Sequence, residues 1–364
     1  MRGSGYEDVI KMKILVVGDG HSAIHEVAVV DAFKRLGHQV EPFYWQSYFN
    51  SGSPVVRLWK RLQNTFLIGP VLSKLNADLV DSATRFEPKL IFIYRGTHVT
   101  PQTISKIKQN LPDCVVYGYN NDDPFADGHP PWLWRHFLRS VPKYDLVFAY
   151  RHHNLDDFVK IGAKRVELLR SWYIPELNHV TTLSTMDKSK YDCDVVFIGH
   201  YENDGRLEFL EEISRNGYGL RLFGPPYEWN HLLVQSEELK HLAPVGLIWN
   251  CDYNKALCGA KIALCFFSKL NRDTYTRRCF EIPATGTLLL SEYSDDIASL
   301  YQAGVEADFF KNKEEMIRKI KIYLGDDNLR SRVSASGNQR VINDGHDVVS
   351  RMASVLDFVA CRDK

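Results

Sequence analysis

The sequence predicts an α/β protein made of two doubly wound, parallel-sheet domains. Three observations carry this expectation. The chain has 364 residues, which at roughly 150 residues per domain gives about two domains. From Lys13 onward, short β-branched and apolar runs alternate with longer amphipathic stretches, the pattern of strands feeding crossover helices into a parallel sheet. The alternation stops at one polar stretch and then starts again.

Taken in order, the first series places strands near Ile14 to Val17, Gln39 to Tyr44, Leu90 to Tyr94, Val115 to Tyr119, Leu146 to Tyr150 and Val166 to Leu169. Ahead of it, residues 1 to 11 are polar and show no signal-peptide pattern, and Met12 opens MKILVVG, a lysine followed by an apolar strand. The segment Pro54 to Phe86 has helical apolar spacing broken at Gly69 and Pro70. Its Arg57, Lys60, Arg61 and Lys74 would suit an anionic membrane, but a core-facing crossover helix with a solvated basic side is the reading adopted, leaving membrane contact at most peripheral. After Tyr173 the stretch His179 to Lys190 is polar and lacks apolar periodicity, so residues 175–191 read as a linker. The second series places strands near Asp194 to Ile198, Leu220 to Phe223, Val245 to Trp249, Ile262 to Phe267 and Leu288 to Ser291. The expected domains are therefore 1–174 and 192–342. A last helix, 343–364, carries the stripe Val348, Met352, Val355, Leu356 and Val359 and is expected to pack back on the first domain.

Composition narrows the function. Forty-five Lys plus Arg balance forty-five Asp plus Glu, which argues against a nucleic-acid partner or a protein held to a membrane by bulk charge. No apolar run reaches the ~18 residues of a spanning helix. The seven cysteines, at 114, 193, 251, 258, 265, 279 and 361, form no C-x-x-C pair, which suits reduced thiols in the cytoplasm. No metal-ligand spacing is present, and Cys251, Cys258 and Cys265 read as core.

Ligand chemistry gathers in loops that follow predicted strands. Gly18-Asp19-Gly20-His21-Ser22-Ala23 has the G-x-G-x-x-A spacing of a dinucleotide fingerprint, with Glu41 where a ribose-binding acid would stand. The competing reading is a tight strand-to-helix turn. Arg95-Gly96-Thr97-His98 and Asn120-Asn121-Asp122-Asp123-Pro124 follow two further strands. Asp19, His21 or Asp122 would serve as a base toward an acceptor hydroxyl, whereas the Asp122-Asp123-Pro124 run equally suits a turn that caps a helix. Trp132, Trp134 and His136 offer either sugar-stacking faces or buried aromatics. In the second domain Gly199, His200 and Arg206 follow one strand, and the run Ser268 to Thr287 follows another. The latter brings hydroxyls and guanidinium groups into a short helix that carries Glu281 and stops at Gly286. Such a site pairs phosphate with arginine and a sugar diol with glutamate. Taken singly, Glu281 also reads as a helix-dipole partner and Arg206 as a surface arginine.

Arg278-Cys279-Phe280-Glu281-Ile282-Pro283-Ala284-Thr285-Gly286 resembles the R-x-F-E-x-x-A-x-G run of bacterial glycosyltransferases of the GT-B fold, group 1 type, in particular their spore-maturation-like branch. Asp194 to Gly199 resembles that family's D-V-x-F-x-G strand, and Leu222-Phe223-Gly224 its L-x-G strand. The resemblance covers most of the second half and, in the first half, element order alone. It implies two Rossmann-like domains facing a cleft, a nucleotide-sugar donor (UDP-, GDP- or dTDP-sugar) held mainly by the C-terminal one, and a glycan or glycoconjugate acceptor. It further implies transfer with no cofactor and no metal required. By the same resemblance Arg206 and Arg277 or Arg278 neutralise the donor diphosphate beside Thr276, Gly199 and His200, and Glu281 takes the nucleotide ribose. Many retaining members carry a second glutamate toward the donor sugar. Here the position eight residues before Glu281 is Asp273, one methylene shorter. A sugar-nucleotide epimerase and a non-catalytic nucleotide-sugar or glycan-binding protein remain the alternatives.

Overall fold

The computed structural model describes residues 11–360; the polar opening as far as residue 10, and Cys361, lie outside the described residues. The chain forms two compact units. One runs to Arg170 and takes back the final helix, Val348–Ala360, and the other is Ser171–Asp347.

The first unit is a six-stranded parallel sheet: β1 (Lys13–Gly18), β2 (Gln39–Tyr44), β3 (Leu90–Tyr94), β4 (Val115–Asn120), β5 (Leu146–Ala149) and β6 (Val166–Leu168), in the order β2-β1-β3-β4-β5-β6. β3 is buried at every residue, as expected for a parallel strand covered by helices on both faces. One core forms from Leu15, Val17, Ile91, Ile93, Val116 and Val147. The Val348–Ala360 helix buries Val348, Met352, Val355 and Val359 and packs against the Glu26–Arg35 helix, while Phe358 meets Phe148 edge-on at 5.7 Å.

The second unit has β7 (Cys193–Ile198), β8 (Leu220–Phe223), β9 (Ala260–Cys265), β10 (Leu288–Glu292) and β11 (Asp308–Phe310), all parallel, in the order β11-β10-β9-β7-β8. Val195, Phe197, Ile262, Leu264, Leu288 and Leu290 lead its core. Each sheet reverses its strand order once, between β1 and β3 and between β7 and β9. In open α/β sheets such a switch point opens a crevice outside the carboxyl ends of the strands, where ligands bind.

Four expectations need correction. Residues 245–249 form no strand: Gly246 accepts one backbone bond, from Gly224 N–H at 3.1 Å, and Leu247 and Trp249 are exposed, so the apolar run lacks a ladder. β11 is the strand not foreseen. It is three residues long and opens on Asp308, whose carboxylate takes Lys319 (2.6 Å) and the Tyr323 hydroxyl (2.8 Å), too short and too polar for a periodic signal. The 175–191 stretch is built into the second unit. His179 exchanges two backbone hydrogen bonds with the Asn254 amide (3.1 and 3.0 Å), Asp187 pairs with Lys255 at 3.0 Å, and Ser184 caps the helix Thr185–Tyr191. Polar contacts hold it, and polar sequence reads as linker. Finally, Pro54 to Phe86 forms two helices. Pro70–Phe86 is the core-facing crossover, but Pro54–Phe66 buries only Gln63.

Candidate functional site

At the β7/β9 switch point two loops close on each other. Gly199 leaves β7 with its N–H on Phe223 O (2.9 Å) and its carbonyl taking the Trp229 indole N–H (2.9 Å). A Cβ here would stand 3.0 Å from Phe197 Cζ and 3.2 Å from Arg278 Nη1, so glycine admits the arginine. His200 Nδ1 lies 3.0 Å from Glu228, which also accepts from Tyr201 N–H. Burial alone would raise the Glu228 pKa, but these hydrogen bonds outweigh it and hold the carboxyl below its ordinary range.

Arg206 opens the next helix, Arg206–Arg215, and is almost fully buried. It forks onto Asp204 (2.8 and 2.7 Å) and donates to His200 O at 2.7 Å and Phe267 O at 3.5 Å. From the same loop Glu202 accepts from Lys269 N–H at 2.9 Å. The loops after β7 and β9 are therefore latched by Glu202 and Arg206. Arg206, proposed from sequence to meet phosphate, has its charge compensated within the fold.

The second loop turns tightly from Ser268 to Asp273, whose N–H returns to Ser268 O at 2.8 Å while Arg272 adopts φ +48°. Thr276 Oγ1 then lies 3.3 Å from Cys265 Sγ. Seven residues, Arg278–Ala284, form the short helix, ending before Gly286 at φ +74°. Glu281 is buried. Its Oε2 accepts the Tyr253 hydroxyl at 2.7 Å, and its Oε1 lies 2.8 Å from Arg277 Nε, an ion pair in which the N–H is not aimed along the contact. Each oxygen retains an acceptor lone pair. Burial opposes the charge of Arg278, yet Cys265, Tyr253 and Glu281 around it raise its pKa, and its Nε is buried without a hydrogen-bond partner. Tyr253, Asp204 and Glu202 are the site residues that sequence did not single out. Tyr253 sits midway along the helix Asn250–Cys258, where a hydroxyl carries no pattern. Of the three cysteines expected in the core, Cys265 is buried, but Cys258 is half-buried and Cys251 exposed.

The β1/β3 switch point of the first unit gathers the other candidates. Asp19 and His21 face each other at 2.9 Å. The glycine loop is closed by its own chain: Glu26 accepts a short hydrogen bond from Gly20 N–H, and Gly20, at φ +87°, lies so close that a Cβ would stand 2.6 Å from Tyr44. A buried carboxylate thus fills the place where a pyrophosphate would meet the helix N-terminus, and Glu41 lies mid-strand opposite Leu15 rather than at a strand end. The dinucleotide reading is overturned on both counts. Asp122 pairs with Arg95 at 2.6 Å. Asp123 is the turn-forming carboxylate, accepting from Phe125 N–H at 3.0 Å and from Asn154 at 3.0 Å. His98 is buried, stacked on Trp45 at 5.0 Å and held neutral by burial, its pKa lowered to about 3. Trp134 is buried beneath Arg95, His136 is bonded to Leu67 O, and only Trp132 keeps an exposed face. Among the described residues no three His, Cys, Asp or Glu side chains gather as a metal site.

Residues 206–357 match the family described as glycosyl transferase-like. The match begins at the helix after β7, takes in the rest of the second unit and runs into the final helix. The matched segment holds Arg206, the whole loop after β9 and Glu281. Among solved structures, the chain is similar to Anabaena Alr3699/HepE in complex with UDP and glucose (TM-score 0.65, 14% identity, 96% of this chain and 100% of that one). It is similar also to a glycosyltransferase from Rickettsia africae (0.66, 13%, 96% and 98%) and to sucrose-phosphate synthase from Thermosynechococcus elongatus (0.66, 13%, 97% and 100%). At such identities the likeness is one of fold, and that fold is GT-B. No curated protein matches the chain.

Proposed function

We propose that the chain transfers a sugar from a nucleoside-diphosphate donor, bound by the second unit, to a hydroxyl of a glycan or related acceptor, with retention and without a required metal. One observation carries it. Two latched loops at the β7/β9 switch point set Arg277, Arg278 and a buried glutamate with free acceptor lone pairs side by side, the chemistry that holds a diphosphate and a ribose diol. In this reading Glu281 accepts from the ribose hydroxyls, Arg277 and Arg278 stabilise charge growing on the leaving diphosphate, and Gly199, His200 and Thr276 border the phosphates. Asp273 faces the donor sugar. Asp19, His21 and Asp122 belong to the acceptor side. The UDP held by HepE favours a uridine donor. The R-x-F-E-x-x-A-x-G run favours the spore-maturation-like branch, and seven cysteines with no C-x-x-C pair suit the cytoplasm.

The test incubates the protein with UDP-, GDP- and dTDP-hexoses in the presence of EDTA. A transferase releases nucleotide slowly from one donor and faster once an acceptor is added, with the anomeric configuration of the product read by NMR. An epimerised free donor would identify the epimerase alternative, and binding without turnover the binding protein. Loss of activity in EDTA, restored by a divalent cation, would overturn metal independence.

A further inference from the structure

The Pro54–Phe66 helix is amphipathic, and its orientation is inverted. Leu58, Leu62, Val55, Phe66 and Trp59 fall within an arc of about 100° at helical spacing, and these five side chains are 42–78% exposed. The polar side faces the body of the first unit. Gln63 is buried and accepts from Val71 N–H at 2.9 Å, Asn64 bonds His98 at 2.7 Å, and Lys60 donates to Ser51 at 2.8 Å. The helix end is fastened as well, with Arg135 donating to Phe66 O (3.2 Å) and Leu67 O (2.8 Å). Beyond it the apolar face continues through exposed Ile68 and through Trp132, whose ring packs 5.3 Å from Phe66. A chain that ties its polar side down and turns its apolar side out leaves a patch that calls for a partner.

Charge selects the partner. No acidic residue lies between Pro54 and Phe66, and Arg57 and Arg61, on one flank of the apolar arc, make no ion pair among the described residues. Leucines and aromatics on one face, with arginines at its edge, form the pattern of a helix lying in the plane of an anionic membrane interface. We propose that this face docks on an anionic lipid bilayer surface, seating Leu58, Trp59, Leu62 and Phe66 at the acyl boundary with Arg57 and Arg61 on lipid phosphates. Asn64 ties the docked helix to His98, so the bilayer lies beside the loop that follows β3.

Flotation with vesicles of phosphatidylcholine, alone or with about one third phosphatidylglycerol, tests the proposal. The full chain is expected to float with the anionic vesicles, at least ~10-fold more strongly than with neutral ones, and to detach as salt screens the arginines. The double substitution Leu58→Glu and Leu62→Glu, at exposed positions, should abolish flotation. Arg57→Gln with Arg61→Gln should reduce it roughly 25-fold, about fivefold for each charge. Circular dichroism and melting temperature show that the variants remain folded. Failure of the parent to bind anionic vesicles, or equal binding by the glutamate variant, overturns the proposal. So does a concentration-dependent dimer that the glutamate variant dissolves, which would assign the face to a second copy of the chain.

Discussion

The Arg206 guanidinium forks onto a nearly buried Asp204, so truncating it leaves an unpaired carboxylate inside the latch. Arg206→Ala is expected to destabilise the protein by about 3–5 kcal/mol in denaturant unfolding, lowering nucleotide affinity only through that loss. Burial alone would raise the Asp204 pKa, but the hydrogen bonds and charge of Arg206 outweigh it and hold the carboxyl low. The stabilisation is therefore present above the ordinary value of 3.8 and lost as pH falls through the lowered one. In Arg206→Ala this loss in acid should be absent. Glu281 has the opposite character, its partners leaving lone pairs for a ligand. Glu281→Gln keeps the size but removes the charge and one acceptor, and should weaken UDP binding by about 1–3 kcal/mol with the melting temperature unchanged. Asp273→Asn should leave free-nucleotide affinity intact and slow turnover, because a group that meets the reacting ring is felt in the transition state. Calorimetry beside transfer rates separates the two. Nothing in the sequence separates Arg206 from Arg277, since each is an arginine in a loop after a strand. Only the fold puts Asp204 under one of them.

The glycine loop shows the same limit at the scale of an element. Its spacing was legible, as were most strands, because β-branched runs buried on both faces are long and continuous. What the loop does depends on Glu26, which reaches back from the first turn of its helix, an interaction that a spacing pattern does not record. β11 and the 245–249 run escaped for a related reason. A strand is fixed by its partner, and Asp308–Phe310 has β10 where 245–249 has no ladder, only the one backbone bond from Gly224 to Gly246 toward the sheet. The inverted Pro54–Phe66 helix escaped because periodicity gives the stripe and not the direction it faces. Burial raises the Glu26 pKa above its ordinary value of 4.5, only partly offset by hydrogen bonds from its own and the Gly20 N–H groups. Folding therefore gains from the protonated form. The contribution is fully present below pH 4.5 and lost as pH rises through the raised pKa. Glu26→Gln retains an acceptor for Gly20 without the charge. Its melting temperature should move above the parent's progressively as pH increases from 4.5 through the raised pKa, and neither protein should bind NADH in a fluorescence titration.

Across the whole molecule the two sheets repeat one plan, a strand order that reverses once and loops that gather charge at the reversal, yet the two crevices differ in what is left for a ligand. In the first unit the glycine loop's N–H is taken by Glu26, Asp122 is paired with Arg95 and His98 is neutral. In the second, Arg278 Nε has no partner and both Glu281 oxygens can accept again. Nucleotide should accordingly engage the second unit. A ligand present at about 100 times its Kd stabilises the folded state by about 2.7 kcal/mol, and for a chain of this size each 1 kcal/mol raises the melting temperature by about 2 °C. A thermal-shift screen of UDP, GDP, ADP, CMP and dTDP should therefore pick out one diphosphate by a rise of several degrees, with UDP leading. Hydrogen exchange with that nucleotide should then slow amides in residues 199–206 and 268–281 and leave those of 18–26 unchanged, since Glu26 already occupies that loop. Protection confined to 18–26 would move the nucleotide to the first unit and reverse the assignment of donor and acceptor sides. The same exchange map on Glu281→Gln tells a weakened ribose hydrogen bond from a damaged fold. If only the ribose interaction is weakened, β7 and β9 exchange as slowly as in the parent, whereas unfolding of the latch speeds both strands together.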